Sequence, residues 1–176
     1  MRSEAAPVID VVHCDEALLS AALDDVPALA ARLRAAVPDG LIDDEFRQSF
    51  RYSLDELRKR PSELDGWWTV LFVLREPRVV CGAGGFRGPP SSGGMVEIGY
   101  SIVPSLRGRG LATAAAGELV RHAFSDPRTA TVQAHTLSQV NPSTRVLDKL
   151  GFVKVAEYLN PAEHPEPVWR WELRRP

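Results

Sequence analysis

The stretch Pro104-Ser105-Leu106-Arg107-Gly108-Arg109-Gly110-Leu111-Ala112 joins a strand-like run to an Ala-rich helical one. A strand, a Gly-rich turn and a helix start together expose backbone N–H groups with no partner of their own, and the helix dipole favours an anion there. Gly108 and Gly110 let a phosphate approach the backbone without a Cβ in the way, and Arg107 and Arg109 add positive charge. The same stretch also reads as an ordinary turn with exposed arginines. Upstream, Met95 to Val103 alternates: Val96, Ile98, Tyr100 and Ile102 against Glu97, Gly99 and Ser101. In a strand that period puts one face in the core and leaves the other small and polar. Gly99 and Ser101 leave room for a molecule to lie against the backbone, with the Glu97 carboxylate at one end of that strip.

Two better-known phosphate loops do not fit. A P-loop needs a Gly-Lys pair, and the chain has none. A dinucleotide fingerprint needs a third glycine where Thr113 stands, and a carboxylate about 20 residues on at a strand end; Asp126 sits in a turn instead.

The elements that must carry these residues follow from periodicity. Val8 to His13 reads as a first strand, Asp15 to Ala36 as a helix broken at Pro27, and Asp43 to Arg60 as an amphipathic helix ended by Pro61. Trp67 to Leu74 is a near-continuous apolar strand buried on both faces, followed by a Gly-rich strand over Val79 to Phe86. Beyond Met95 to Val103 come a helix over Gly108 to Phe124 and a strand over Thr129 to Thr136. A helix opened by Asn141-Pro142 and stopped by Gly151 comes next, then strands over Val153 to Leu159 and Val168 to Leu173. Hairpins followed by a helical crossover predict an α/β mixed sheet with helices on both faces.

The bulk composition sets bounds. At 176 residues the expectation is one domain over 1–176. Twenty-one basic residues against 23 acidic ones give a net charge of −2, which argues against a polyanion binder held by phosphate neutralisation, so no nucleic-acid partner is expected. Eighteen of the basic residues are Arg and only Lys59, Lys149 and Lys154 are Lys; codon bias accounts for most of that skew. Cys14 and Cys81 form neither a disulfide framework nor a CxxC pair. The opening MRSEAAPVID has no apolar core of signal-peptide length, and no run approaches a membrane span of about 20 residues. The expected setting is the cytoplasm, with no membrane partner, and the chain a monomer or homodimer.

Arg107-Gly108-Arg109-Gly110-Leu111-Ala112-Thr113 resembles the pyrophosphate loop of the GCN5-related N-acetyltransferases (GNAT), departing from its pattern at Ser105, where Gln or Arg is usual. Asn141 to Phe152, ending in Gly151-Phe152, resembles the helix after that family's fifth strand. Gly84 to Pro90, Val96-Glu97-Ile98-Gly99-Tyr100 and Pro167-Val168-Trp169-Arg170-Trp171 resemble members near the ribosomal-protein N-terminal (RimJ/RimL-like) branch. The resemblance covers residues 67–173.

It implies a GNAT fold: a mostly antiparallel central sheet with helices on both faces and a slot between splayed fourth and fifth strands. It implies acetyl-CoA as co-substrate, no metal, and an amine acceptor, either a small molecule or a peptide N-terminus. The cofactor contacts carried over are Tyr100, Ser101, Ile102 and Val103 on the fourth strand, Arg107, Gly108, Arg109, Gly110, Leu111, Ala112 and Thr113 in the loop, and Asn141, which also caps its helix. Glu97 is the candidate base that deprotonates the amine, directly or through a water, and Ser143 or Asn141 could meet the departing sulfur. Many relatives place a Tyr on the helix after the fifth strand; here that helix has Asp148 and no Tyr. His135, at the end of the fifth strand, reads as a second base, a proton relay or a structural hydrogen-bond partner. Trp67, Trp68, Phe46, Phe50 and Tyr52 read as core or as an acceptor pocket, and Arg87 to Gly94 as a flap. The alternative to an enzyme is a non-catalytic CoA-binding or nucleotide-binding regulatory module.

Overall fold

The layout begins with β2 (Thr69–Leu74), because every residue in it is buried and both its faces must therefore be covered. It is the second strand of a seven-stranded sheet ordered β1-β2-β3-β4-β5-β7-β6. The other strands are β1 (Ile9–His13), β3 (Val79–Phe86), β4 (Met95–Ile102), β5 (Thr131–Leu137), β6 (Val153–Tyr158) and β7 (Val168–Arg174). Neighbours run antiparallel except β4 and β5, which are parallel. The sheet is thus mixed and mostly antiparallel, as the resemblance implies. The structure, a computed structural model, describes residues 7–59, 66–159 and 165–176.

Helices α1 (Glu16–Asp24), α2 (Val26–Leu33) and α3 (Asp44–Lys59) cover one face. There Leu19, Leu29, Phe50 and Leu54 pack on Leu71, Val73, Val80 and Ala83. Helices α4 (Leu111–Ser125) and α5 (Pro142–Lys149) belong to the opposite face, where Leu111, Ala115, Leu119 and Leu147 pack on Val70, Phe72, Val96, Ile98 and Val132. Leu147 is fully buried, so its truncation to Ala would cost about 2–5 kcal/mol.

The boundaries differ from the sequence reading for local reasons. The break between α1 and α2 falls at Asp25, two residues before Pro27; Asp25 ends α1 and accepts from the Ala28 amide to start α2. α4 begins at Leu111 rather than Gly108, because Gly108 and Gly110 have φ of +79° and +76° and Pro104–Leu106 forms a short 3-10 turn. β2 begins at Thr69 and β5 at Thr131, where ladder pairing begins. Arg60 and Pro61, the predicted end of α3, lie outside the described residues.

Glycines on β3 bring β4 close. A Cβ on Gly82 would run into the Ser101 carbonyl and one on Gly84 into the Gly99 carbonyl, so only glycine lets the two backbones lie at this spacing. No helix among the described residues is long and apolar enough to cross a membrane.

Candidate active site

The parallel ladder between β4 and β5 is three pairs long: Met95 with Thr131, Val96 with Val132, Glu97 with Gln133. Beyond Glu97 each strand keeps its other neighbour. β4 stays paired to β3 from Ile98 to Ile102, and β5 stays paired to β7 through His135–Arg170 to Leu137–Val168. The two half-sheets complete their bonding separately, so the β4 edge from Ile98 to Ile102 faces β5 without ladder bonds. Gly99 is exposed on that stretch, and a Cβ there would meet nothing within 4 Å among the described residues. Ser101 is half-buried and Ile102 and Val103 are buried. The edge can therefore bond an extended ligand in place of a strand.

At the end of β4 the chain enters the Gly-rich loop. Gly110 starts α4 with no side-chain cap, and none of the described residues accepts from the amides of Gly108 to Thr113. Those six amides lie in the loop and first turn that open α4, the place where a helix favours an anion. A Cβ on Gly108 would also meet nothing within 4 Å among the described residues. Arg107 turns back, its Nε donating to the Ile102 carbonyl at 2.9 Å, so it braces the loop against β4 as well as bringing charge. Arg109 is exposed.

Glu97 points to the face of the sheet that carries α1–α3, with Gln133 and His135, which share its side by strand alternation. Its Oε1 lies 3.2 Å from His135 Nδ1 and 3.0 Å from Arg87 Nε, and its Oε2 accepts from Gln133 Nε2 at 2.7 Å. Burial pushes the Glu97 carboxyl up, but His135, Arg87 and Gln133 together outweigh it and hold the group below the ordinary carboxylate value. On its far side, His135 Nε2 is 2.6 Å from the Tyr158 hydroxyl, with the two rings perpendicular.

On α5, Asn141 caps as the sequence predicts. Its Oδ1 accepts from the Thr144 amide at 3.0 Å and its own amide donates to Thr144 Oγ1 at 3.1 Å, a reciprocal capping box. Ser143 sits in the first turn, and its carbonyl is 3.5 Å from the Tyr100 hydroxyl, the outer limit of a hydrogen bond. Tyr100 thus spans from β4 to the start of α5, and burial raises its pKa so that it keeps its proton.

The aromatic residues divide. Trp67 and Phe50 are core, and Phe46 packs beside Phe50. Tyr52 is exposed and stands edge-on against Trp68, near Gly88 at the start of the proposed flap. The sequence reading did not find Arg87, Gln133 or Tyr158 as partners of the Glu97–His135 pair. Strand alternation could have found Gln133, two residues from His135; nothing local points to Tyr158, which arrives from β6 across β7.

Several known proteins share this architecture. A curated Bacillus subtilis relative, "Uncharacterized N-acetyltransferase YjdG", is 33% identical over 97 residues, 53% of this chain and 56% of the relative. The match thus spans about half the length of that relative. RimJ of Mycobacterium smegmatis, solved in complex with CoA-disulfide, superposes with a TM-score of 0.65 at 18% identity, over 96% of this chain and 82% of that one. The Salmonella typhimurium putative acetyltransferase yncA, solved with acetyl-CoA, superposes with a TM-score of 0.61 at 19% identity, over 94% and 93%. At such identities the two structures establish a common fold. The Acetyltransferase (GNAT) domain matches residues 17–153, from α1 into the first residue of β6. A match over that much of the chain, on a sheet parted after Glu97, makes the protein a member of the GNAT acetyltransferase family.

Proposed function

We propose that this protein is an N-acetyltransferase that moves an acetyl group from acetyl-CoA to a primary amine by direct attack of the amine on the thioester. The observation that carries this reading is the position of Glu97: the ionised carboxylate stands at the rung where β4 and β5 part, beside the slot. An ammonium has no lone pair and must lose a proton before it can attack, and a carboxylate at the mouth of the slot is placed to drive that loss.

In this reading Tyr100, Ser101, Ile102 and Val103 flank the pantetheine arm, with a β4 amide polarising the acetyl carbonyl as an oxyanion donor. The amides from Gly108 to Thr113, with Arg107 and Arg109, hold the pyrophosphate. The N-terminus of α5, with Asn141 and Ser143, favours the departing thiolate through its dipole; a thiolate also leaves without prior protonation, because a thiol is a far stronger acid than an alcohol or amine. The acceptor is a peptide N-terminus or a small amine such as an aminoglycoside or amino acid, and the resemblance of Val96 to Tyr100 and Pro167 to Trp171 to the ribosomal-protein N-terminal branch favours the former. The protein acts in the cytoplasm as a monomer or homodimer and needs no metal.

The test is thiol release from acetyl-CoA with an alanine-initiated peptide, an aminoglycoside and free amino acids as acceptors. Turnover with one of these amines, lost in Glu97→Gln, is the expected outcome. A thermal shift with acetyl-CoA but no release with any amine would turn the reading to a CoA-binding module. A comparable shift with ADP would turn it to a nucleotide-binding one.

A further inference from the structure

Glu97 is not the end of the hydrogen-bonded chain on its face of the sheet. An ionised carboxylate only accepts, so His135 Nδ1, 3.2 Å from Oε1, must carry the proton shared with it. A neutral imidazole protonated at Nδ1 has Nε2 free to accept, and the Tyr158 hydroxyl 2.6 Å away then donates to it. Of the three residues, Glu97 and His135 are half-buried, whereas Tyr158 on edge strand β6 is exposed. Glu97 already takes hydrogen bonds or ion pairs from Arg87, Gln133 and His135, which makes it a weak base toward an ammonium.

We propose that Tyr158, His135 and Glu97 form one proton relay, in which the Tyr158 hydroxyl is the atom that receives the acceptor's proton. The idea rests on the amine-acetylation reading above and says how the deprotonation is done. The ammonium N–H bond breaks and its proton goes to the Tyr158 oxygen. The Tyr158 O–H bond breaks and that proton goes to His135 Nε2. No electrons change owner beyond these bonds, and the freed lone pair of the amine attacks the thioester carbonyl. The imidazolium then faces the Glu97 carboxylate, which stabilises it and fixes the ring, and it later returns its proton to water through Tyr158. The charged groups around the ring are Glu97 from β4, Arg87 paired to Glu97, and Arg170, its register neighbour on β7, which is itself paired to Glu172. On β6, Glu157 is bonded to Ser138, away from the chain. His135 and Glu97 are positioning residues here, acting through Tyr158.

The experiment measures kcat and KM for acetyl-CoA and for the best amine of the panel across pH 6–9. It compares wild type with Tyr158→Phe, His135→Gln, the double variant and Glu97→Gln. Tyr158→Phe, at an exposed site, keeps the fold and removes only the hydroxyl. The expected result is a kcat drop of at least about tenfold in each single variant, with KM for acetyl-CoA within about twofold. The double variant should be no slower than His135→Gln alone by more than about threefold, because the two act in series. The acidic limb of kcat/KM should flatten in His135→Gln, a change that a merely structural histidine would not produce. Wild-type kcat in Tyr158→Phe together with an inactive Glu97→Gln would overturn the relay and leave the acetylation reading standing. Wild-type kcat in Glu97→Gln as well would overturn both the relay and the role of Glu97, with amine turnover still upholding acetylation, and no turnover by the wild type with any amine would overturn the acetylation reading and the relay together.

Discussion

Glu97 and Gln133 are the last residues to pair between β4 and β5, and the strands part directly beyond them. The slot this opens runs past Gly99, where an added Cβ would meet none of the described residues within 4 Å. Replacing Gly99 with Val should leave stability within about 0.5 kcal/mol, since nothing is displaced. KM for acetyl-CoA should rise at least tenfold, since the new side chain would stand in the slot. Thermal unfolding beside steady-state kinetics checks both halves; an unchanged KM would place the co-substrate elsewhere.

Arg107 and Arg109 should separate on mutation. Arg107→Ala removes the brace to the Ile102 carbonyl, a charge-assisted bond whose loss should cost about 1–2 kcal/mol. Arg109 is exposed, and Arg109→Ala should leave stability unchanged. The double variant should raise KM for acetyl-CoA several-fold while KM for the amine stays the same. Kinetics and denaturant unfolding decide it.

The Glu97 carboxyl is held below the ordinary carboxylate value in the folded protein. Its contribution to stability is therefore fully present above its unfolded value of about 4.5 and is lost as pH falls through the lower folded value. The melting temperature of the wild type relative to Glu97→Gln should be constant from pH 8 to 5 and should decline below that. A difference independent of pH down to 3 would mean that the carboxylate is not held by its neighbours.

His13 on β1 and His122 on α4 lie with ring centroids 4.7 Å apart, packed with Trp67 and Phe86 and close to Gly66. Burial lowers both pKa values; the pair's mutual repulsion lowers His13 further, while the Gly66 backbone raises each, and Arg121 and Asp126 act on His122 in opposite directions. The unfolded chain then binds more protons than the folded one below about pH 6.5, so stability should fall as pH drops through that value. His122→Phe, which keeps the aromatic packing, should flatten the slope of melting temperature between pH 7 and 5.

Ser53 on α3 and Thr69 on β2 share a buried hydroxyl–hydroxyl hydrogen bond of 2.7 Å. Ser53→Ala strands the Thr69 hydroxyl away from water and should cost about 1–3 kcal/mol. Adding Thr69→Val removes the stranded group and should recover part of that loss. Urea unfolding of the three proteins measures the coupling.

Much of the site was legible because its causes are local. The alternation Val96-Glu97-Ile98-Gly99 put the carboxylate and the glycine on one face, and β4 carries them there. Asn141-Pro142 predicted a helix cap, and the capping box forms. The partners of Glu97 were not legible. Gln133 and His135 lie 36 and 38 residues further on, and they meet Glu97 only through the parallel register of β5, reached by way of α4. The aromatic residues show the same limit: spacing alone could not separate buried Phe50 from exposed Tyr52, because that depends on what packs over each.

By itself the sequence determined the features that a few consecutive residues can impose. These are the Gly-rich turn before α4, the two-residue alternation of β4 and the cap of α5. Each follows from backbone sterics or from a hydrogen bond within four residues. The tertiary structure decided where β4 and β5 part, which donors surround Glu97, and that a tyrosine from β6 completes the chain through His135. Those depend on strand order and register, which are set by how both faces of the sheet are covered and not by any short run of residues.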